Sequence, residues 1–308
     1  MLITRVLRQM TVLAAALVVA LTGAAGAGTA AAQAGTRQLL YFNHAYGVFD
    51  RTTADAIEHS SYLHDFANFQ VRTTTGSGGE TWTGRYLLGH QTYLELFGIG
   101  DVPGQDGVLG AAGMGVSVEH SGELATVTQN LKDQGVEPTP FLQTRDFGDG
   151  KPVPWFDSIF TTTEYDGFSA WGMEYRPEYF ADPRSNSEPA SFPGDVGRER
   201  YLPDDYKDHL MRDVSAIRMA VTPRDLAATL PLLRAGGFAV RSTPHGGALA
   251  VGGGTRIRFD AVPRAQAGLR RIGMTLNHPV ARHVERIGNS TLVVGPGARA
   301  VWTFAPNS

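Results

Sequence analysis

The chain has 308 residues, 42% of them apolar and 19% charged, with 37 Gly, 17 Pro and no Cys. This composition excludes a disordered tail, a collagen-like repeat and a polytopic membrane protein, and the absence of cysteine excludes disulfides, thiolate metal sites and a cysteine nucleophile. With 27 basic against 30 acidic residues the net charge is −3, which gives no electrostatic case for nucleic acid as a partner.

Residues 1–34 read as a secretory signal. Arg5 and Arg8 form a basic start, 11–21 is apolar and uncharged, and small residues follow up to Ala32-Gln33-Ala34. The apolar run is shorter than the roughly 20 residues of a membrane span. Cleavage before Gly35 is therefore expected. It would leave a secreted, extracellular chain of net charge −5, with 25 basic and 30 acidic residues and no membrane partner.

Three later stretches share one grammar. Residues 39–49 are strand-like and aromatic, Asp50 can cap a helix, and Ala56, Leu63, Phe66 and Ala67 recur at helical spacing. Residues 113–118 form a second strand, with Ser121 as a candidate cap, Leu124, Val127 and Leu131 as a helical stripe and Gly135 at its end. Residues 214–221 form a third, and Thr222-Pro223-Arg224-Asp225 supplies a cap, a proline at the first helical position and an acid at the third. Leu226, Leu230 and Leu233 form that helix's buried face, which Gly236 closes.

Each helix is followed by three strand-like runs: 70–75, 81–88 and 91–97, then 139–144, 158–163 and 168–176, then 239–243, 248–251 and 256–262. The unit is β-α-β-β-β, an α+β module whose sheet cannot cover its own apolar face, so modules are expected to pair. The proline-rich stretch 181–212 reads as a linker. The expected organisation is a pair of modules over 35–180 (35–100 and 110–180), the linker, and a divergent C-terminal part over 213–308. Within the last part, the tail from 268 adds a strand, a short helical turn near 280–287 and a hairpin. It is either a reduced fourth module or the closing strands of the third.

Tandem βαβββ units, with His in the first strand and Glu in the last, resemble the vicinal oxygen chelate superfamily, which includes glyoxalase I, extradiol dioxygenases and bleomycin- and fosfomycin-resistance proteins. The matching residues are Asn43-His44-Ala45-Tyr46-Gly47-Val48-Phe49-Asp50, Thr92-Tyr93-Leu94-Glu95-Leu96-Phe97-Gly98, Gly115-Val116-Ser117-Val118-Glu119 and Trp171-Gly172-Met173-Glu174-Tyr175. Within it, the Asn43-His44-Ala45-Tyr46 and Trp82-Thr83-Gly84-Arg85-Tyr86 patches resemble an exported bacterial subgroup of unassigned function.

The resemblance implies an open barrel-like cup made by two modules, with a divalent metal (Mn, Fe, Mg, Ni or Zn) held by first and last strands. Carried over, the ligands are His44, Glu95 and Glu174, and the fourth position falls on Gly113, which has no side chain to offer. Imidazole is a common metal ligand, and a carboxylate placed by alternation between Tyr93 and Phe97 is expensive unless paired or metal-bound. Tyr46, Arg85, Tyr93 and Trp171 are candidate contacts for a small-molecule ligand, with Trp82, Tyr86 and Tyr175 as further aromatic lining. The implied function is a metal-dependent lyase, isomerase or dioxygenase-like enzyme acting on a small oxygenated molecule. The alternative is a non-catalytic protein that sequesters a small molecule in the same cup. Gly252-Gly253-Gly254 precedes a strand-like run and reads as a hairpin turn, while no Gly-x-Ser-x-Gly elbow or His-Glu-x-x-His helix is present.

Overall fold

The computed structural model describes residues 37–306. The proposed signal, 1–34, lies outside them. The first module runs β1 (Tyr41–Phe49), α1 (Arg51–Glu58), α2 (Ser61–Phe66), β2 (Asn68–Thr75), β3 (Thr81–Leu88) and β4 (Tyr93–Gly98). The second runs β5 (Ala112–Ser117), α3 (Glu123–Asp133), β6 (Thr139–Arg145), β7 (Val153–Phe160) and β8 (Phe168–Tyr175). After the short helices α4 (Pro177–Ala181) and α5 (Arg198–Tyr201) come β9 (Met211–Val221), α6 (Pro223–Ala235), β10 (Ala239–Ser242), β11 (Ala248–Gly252) and β12 (Thr255–Ala261). Then follow β13 (Gly268–Val280), β14 (His283–Ile287), β15 (Ser290–Val294) and β16 (Gly297–Phe304).

The local chemistry explains the helix boundaries. Asp50 accepts from Thr53 N at 2.8 Å and caps α1, while Thr222 accepts from Asp225 N at 3.2 Å and caps α6, with Pro223 pre-setting the first turn. At the end of α3 the left-handed Gly135 (φ 77°) lets Val136 N reach Leu131 O at 3.0 Å, closing a Schellman turn. At the end of α6 the left-handed residue is Gly237 (φ 91°) rather than Gly236.

The sheet order is β2-β3-β4-β1-β5-β8-β7-β6 in the first sheet and β10-β11-β12-β9-β13-β16-β15-β14 in the second. Each is a pair of four-stranded modules joined through antiparallel first strands, β1 to β5 and β9 to β13. The fold is the α+β arrangement of paired βαβββ modules that the sequence pattern predicts. The tail is a fourth module, and the helical turn expected near 280–287 is the strand β14. Its physical reason is a missing crossover. In the first three modules a helix carries the chain back, so β1 and β4, β5 and β8, and β9 and β12 pair parallel. Only two residues separate β13 from β14, so the chain can only reverse, and β13 and β16 pair antiparallel.

The two sheets pack back to back, with α3 and α6 on the shared face. Phe49 stacks on Phe304 at 4.6 Å, Phe168 meets Phe259 edge-on at 5.7 Å, and a Cβ on Gly47 would touch Leu269 at 3.0 Å. One apolar core runs through both sheets, and the described residues form a single compact unit. The stretch 181–212 joins the sheets as packed structure: Val196, Arg198, Tyr201, Leu202 and Tyr206 are buried, and Asn277 Nδ2 donates to Tyr206 O and His209 O. Among the described residues, no helix is long and apolar enough to cross a membrane.

Candidate functional site

The free face of the first sheet encloses a cup of about 490 Å³. Its floor is set at the β1–β5 seam. Phe42 pairs with Val116 and His44 with Gly115, so Asn43 is the extra residue of a β-bulge. Arg198, from the segment joining the sheets, donates to Phe42 O at 2.6 Å and to Glu119 at 2.5 Å, holding the strand at that irregularity. Asn43 Nδ2 donates to Ser117 Oγ at 2.9 Å and Tyr175 Oη at 3.2 Å, which turns Oδ1 toward His44 Nδ1 at 2.8 Å. An amide oxygen only accepts, so His44 carries its proton on Nδ1 and leaves Nε2 as the acceptor. Burial holds this imidazole neutral, with its pKa lowered to about 3.

Aromatic rings complete the floor. His44 stacks on Tyr93 at 4.5 Å and meets Trp171 edge-on at 5.3 Å, while Tyr46 meets Phe97 at 6.0 Å and Trp171 at 6.4 Å. The facing strand makes room with glycine. A Cβ on Gly113 would collide with the Tyr46 ring, and one on Gly115 would lie 2.6 Å from His44 Cε1. Glu95 stands opposite Tyr46 in the β1–β4 register, partly exposed to the cup. Burial pushes its carboxyl up to about 7, against the opposing pull of Arg72 and of a hydrogen bond from Tyr93. Arg72 itself lies over the Tyr86 ring, 4.4 Å from its centroid, outside the cup lining. Across the cup Asp106 accepts from Tyr46 Oη at 2.9 Å and from Tyr165 Oη at 2.9 and 3.0 Å.

His44, Tyr46, Tyr93, Glu95 and Trp171 therefore line one cup. Glu174 does not. Side chains alternate along β8, so Trp171 and Glu174, three residues apart, project to opposite faces. Glu174 accepts from Gly122 N at 2.8 Å and Leu124 N at 3.1 Å, satisfying the first amides of α3, whose own Ser121 makes no cap. Arg85 also lies on the back face. It is 3% exposed and bridges Glu58 and Asp101 at 2.5 Å each, tying α1 to the turn after β4. Neither residue can touch a molecule in the cup.

The register explains the missing ligands. In the first module Tyr93 and Glu95 face His44 and Tyr46; in the second, Ser169 and Trp171 face Gly113 and Gly115. Gly113 and Trp171 thus occupy the places of His44 and Glu95. Only one module supplies donors, and the described residues contain no group of three or more His, Asp or Glu able to hold a metal ion. The residues present do not fit the divalent metal that the superfamily resemblance implies.

Sequence reasoning missed Asp106 and Tyr165 as parts of the cup and Asn43 as the residue that orients His44 within it. Asn43 carries a faint signal, a polar side chain interrupting an apolar strand; the other two come from loops and carry none.

A family model described as a family of unknown function, DUF5829, matches residues 42–304. The chain belongs to that family. Comparison with curated proteins found no match. Among solved structures, this DUF5829 chain is similar to a hypothetical protein from Staphylococcus aureus, at 10% identity over 81% of this chain and 96% of that one, with a TM-score of 0.47. It is similar to the 2,3-dioxygenase LapB from Pseudomonas sp. KL28, at 11% identity over 85% and 91%, TM-score 0.43. It is also similar to the Mn(II)-bound glyoxalase from Novosphingobium aromaticivorans, at 10% identity over 85% and 81%, TM-score 0.36. At such scores the likeness transfers no residue role to the DUF5829 chain, and its paired modules rest on its own strand order.

Proposed function

We propose that this DUF5829 protein, exported through its signal-like residues 1–34, binds a small molecule in the cup of the first sheet without a metal. The observation that carries this reading is the substitution of Gly113 and Trp171 for a second His/Glu set. It turns a ligand sphere into an aromatic wall with one imidazole and one carboxyl at its base. The volume suits a drug-sized ligand. Trp155, which lines the cup, keeps a buried indole N–H without a hydrogen-bond partner, and a bound acceptor would relieve that cost of about 1–3 kcal/mol. The metal-dependent lyase, isomerase or dioxygenase reading asks Glu174 for a role that the cap of α3 already uses.

Two measurements test the proposal. Titration with benzyl alcohol, a small apolar probe, should quench tryptophan fluorescence saturably, and Trp171→Ala should abolish the response. Equilibrium dialysis against Mn(II), Fe(II), Ni(II), Mg(II) and Zn(II) should leave no stoichiometric ion. A stoichiometric ion lost in Glu95→Gln would overturn the reading in favour of the metal enzyme.

A further inference from the structure

The charges around the cup are one-sided. Of the residues lining it, Glu80, Glu95 and Asp106 are acids, ten are aromatic, and none is Lys or Arg. The single imidazole is neutral. Arginine is not scarce elsewhere; it stands exposed on the free face of the second sheet and also occurs in the segment joining the sheets. Arg72, whose charge acts on Glu95, is held against Tyr86, one strand further out.

We propose, resting on the cup-binding reading above, that the ligand is an organic cation: a protonated amine or quaternary ammonium on an apolar body. Three features carry this inference. The quadrupole of an aromatic face attracts a cation, and Trp is the strongest such face; Trp82 and Trp171 stand in the wall beside Tyr46 and Phe97. Glu95 places a carboxyl among those rings at the cup's base, where a counter-charge is worth far more than in water. The base is also shut to anions. The charge of Asp106 is fixed across from Glu95 by two phenol hydrogen bonds, and an anionic ligand would face two carboxylates with no compensating base. A neutral hydroxyl could donate to Glu95, but it would gain nothing from the rings as a cation does.

The experiment uses the full chain and four probes of similar size: benzyltrimethylammonium, benzylamine, benzyl alcohol and benzoate, followed by tryptophan fluorescence at pH 8. Both cations should bind about tenfold or more tightly than benzyl alcohol, a gap of about 1.4 kcal/mol, and benzoate weakest. In Glu95→Gln the cation preference should shrink to within about twofold, with benzyl alcohol little changed, while Glu95→Asp should keep most of it. Should Glu95→Gln fail to fold, the wild type supplies the same answer. Benzyltrimethylammonium has a fixed charge, so its preference should fall as pH drops from 8 toward 5.5 and Glu95 takes up its proton. The other titratable groups around Glu95 hold their charge across that range: His44 is neutral, Tyr46, Tyr86, Tyr93 and Tyr175 stay protonated, and Arg72 stays cationic. Equal binding of all four probes, abolished by Trp171→Ala, would overturn the cation inference and leave the cup reading standing. Preferential benzoate binding would overturn it too. No binding of any probe would overturn both.

Discussion

The two sheets share one strand order and present opposite chemistry to solvent. The first lines its free face with aromatic rings and carboxyls around a cup. The second carries a register row of exposed arginines: Arg241, Arg258, Arg218, Arg271 and Arg286, interrupted by Leu249, Thr303 and Thr291. Asp260 alone bridges two of them, Arg218 and Arg258. The backs differ little, because both must be apolar to pack against each other and against α3 and α6. The fold constrains one face of each sheet and leaves the other to be written freely, so function is legible only on the free faces.

The largest expected effect tests whether the back face is structural. Arg85→Ala would open a buried void, remove the ion-pair partner of Glu58 and leave Asp101 only Arg51 and Gly98 N, and should cost about 3–5 kcal/mol in denaturant unfolding. Among molecules that remain folded, affinity for a cup ligand should be unchanged. A specific loss of affinity at constant stability would put Arg85 in the site after all.

Next in size is the pH dependence of stability that the cup of the first sheet contributes. Glu95 titrates at about 7 in the folded chain against an ordinary 4.5, so the folded state holds the extra proton in that window. Stability therefore falls as pH rises through it, by about 3 kcal/mol at most. His44 acts with the opposite sign. Its pKa is about 3 against an ordinary 6.5, so the unfolded state holds the extra proton and stability is lost as pH falls below 6.5. Between 4.5 and 6.5 the two cancel, leaving a plateau. Glu95→Gln should convert that plateau into a rise of about 2–3 kcal/mol with pH and remove the decline near 7. Unfolding curves at half-unit pH steps would reveal it, and an unchanged profile would mean that Glu95 is solvated like a surface carboxyl.

The seams give a smaller, paired test. Gly113→Ala should lose about 2 kcal/mol or expel the Tyr46 ring, since the new methyl meets it directly. The second sheet's seam has Gly273 across from Ala216, where a Cβ would stand 3.1 Å from the Ala216 methyl and 3.8 Å from its next neighbours, a contact that a strand shift of a few tenths of an ångström relieves. Gly273→Ala should therefore shift stability by less than about 1 kcal/mol. The smallest effect is expected for Arg271→Thr, which relieves like charges facing each other on neighbouring strands. A gain of a few tenths of a kcal/mol at low salt, vanishing at high salt, is the expected result.

Much of this was readable before any coordinates. Aromatic strands, Asp50 and Thr222-Pro223 mark β1, α1 and α6 through local chemistry alone. Tyr93 and Glu95 could be placed on one face because alternation fixes the face of a strand residue, and the family resemblance added His44 to them. The same rule, applied to β8, separates Trp171 from Glu174, and there the family pattern outweighed the period. The segment 181–212 looked like a linker because prolines and mixed charges say nothing of tertiary partners; Arg198 finds its partners, Phe42 O and Glu119, at distant positions in the chain. Asp106 and Tyr165 join the cup through loop geometry, which leaves no periodic trace.

The fourth module, lacking a helix, is covered by someone else's. Asn289 N donates to Thr53 Oγ1 at 3.1 Å, Asn289 Nδ2 to Asp50 Oδ2 at 3.2 Å, and Gly288 admits Thr53 where a Cβ would stand 2.6 Å from its Cα. The fourth module is thus finished by the start of α1, made more than two hundred residues earlier. Until β13 arrives, β9 presents an eleven-residue edge with open amides, a template for pairing with a neighbouring molecule. Biogenesis should therefore be governed by long-range closure rather than module-by-module completion, and a ribosome stalled before residue 268 would release an aggregation-prone chain rather than a smaller working protein.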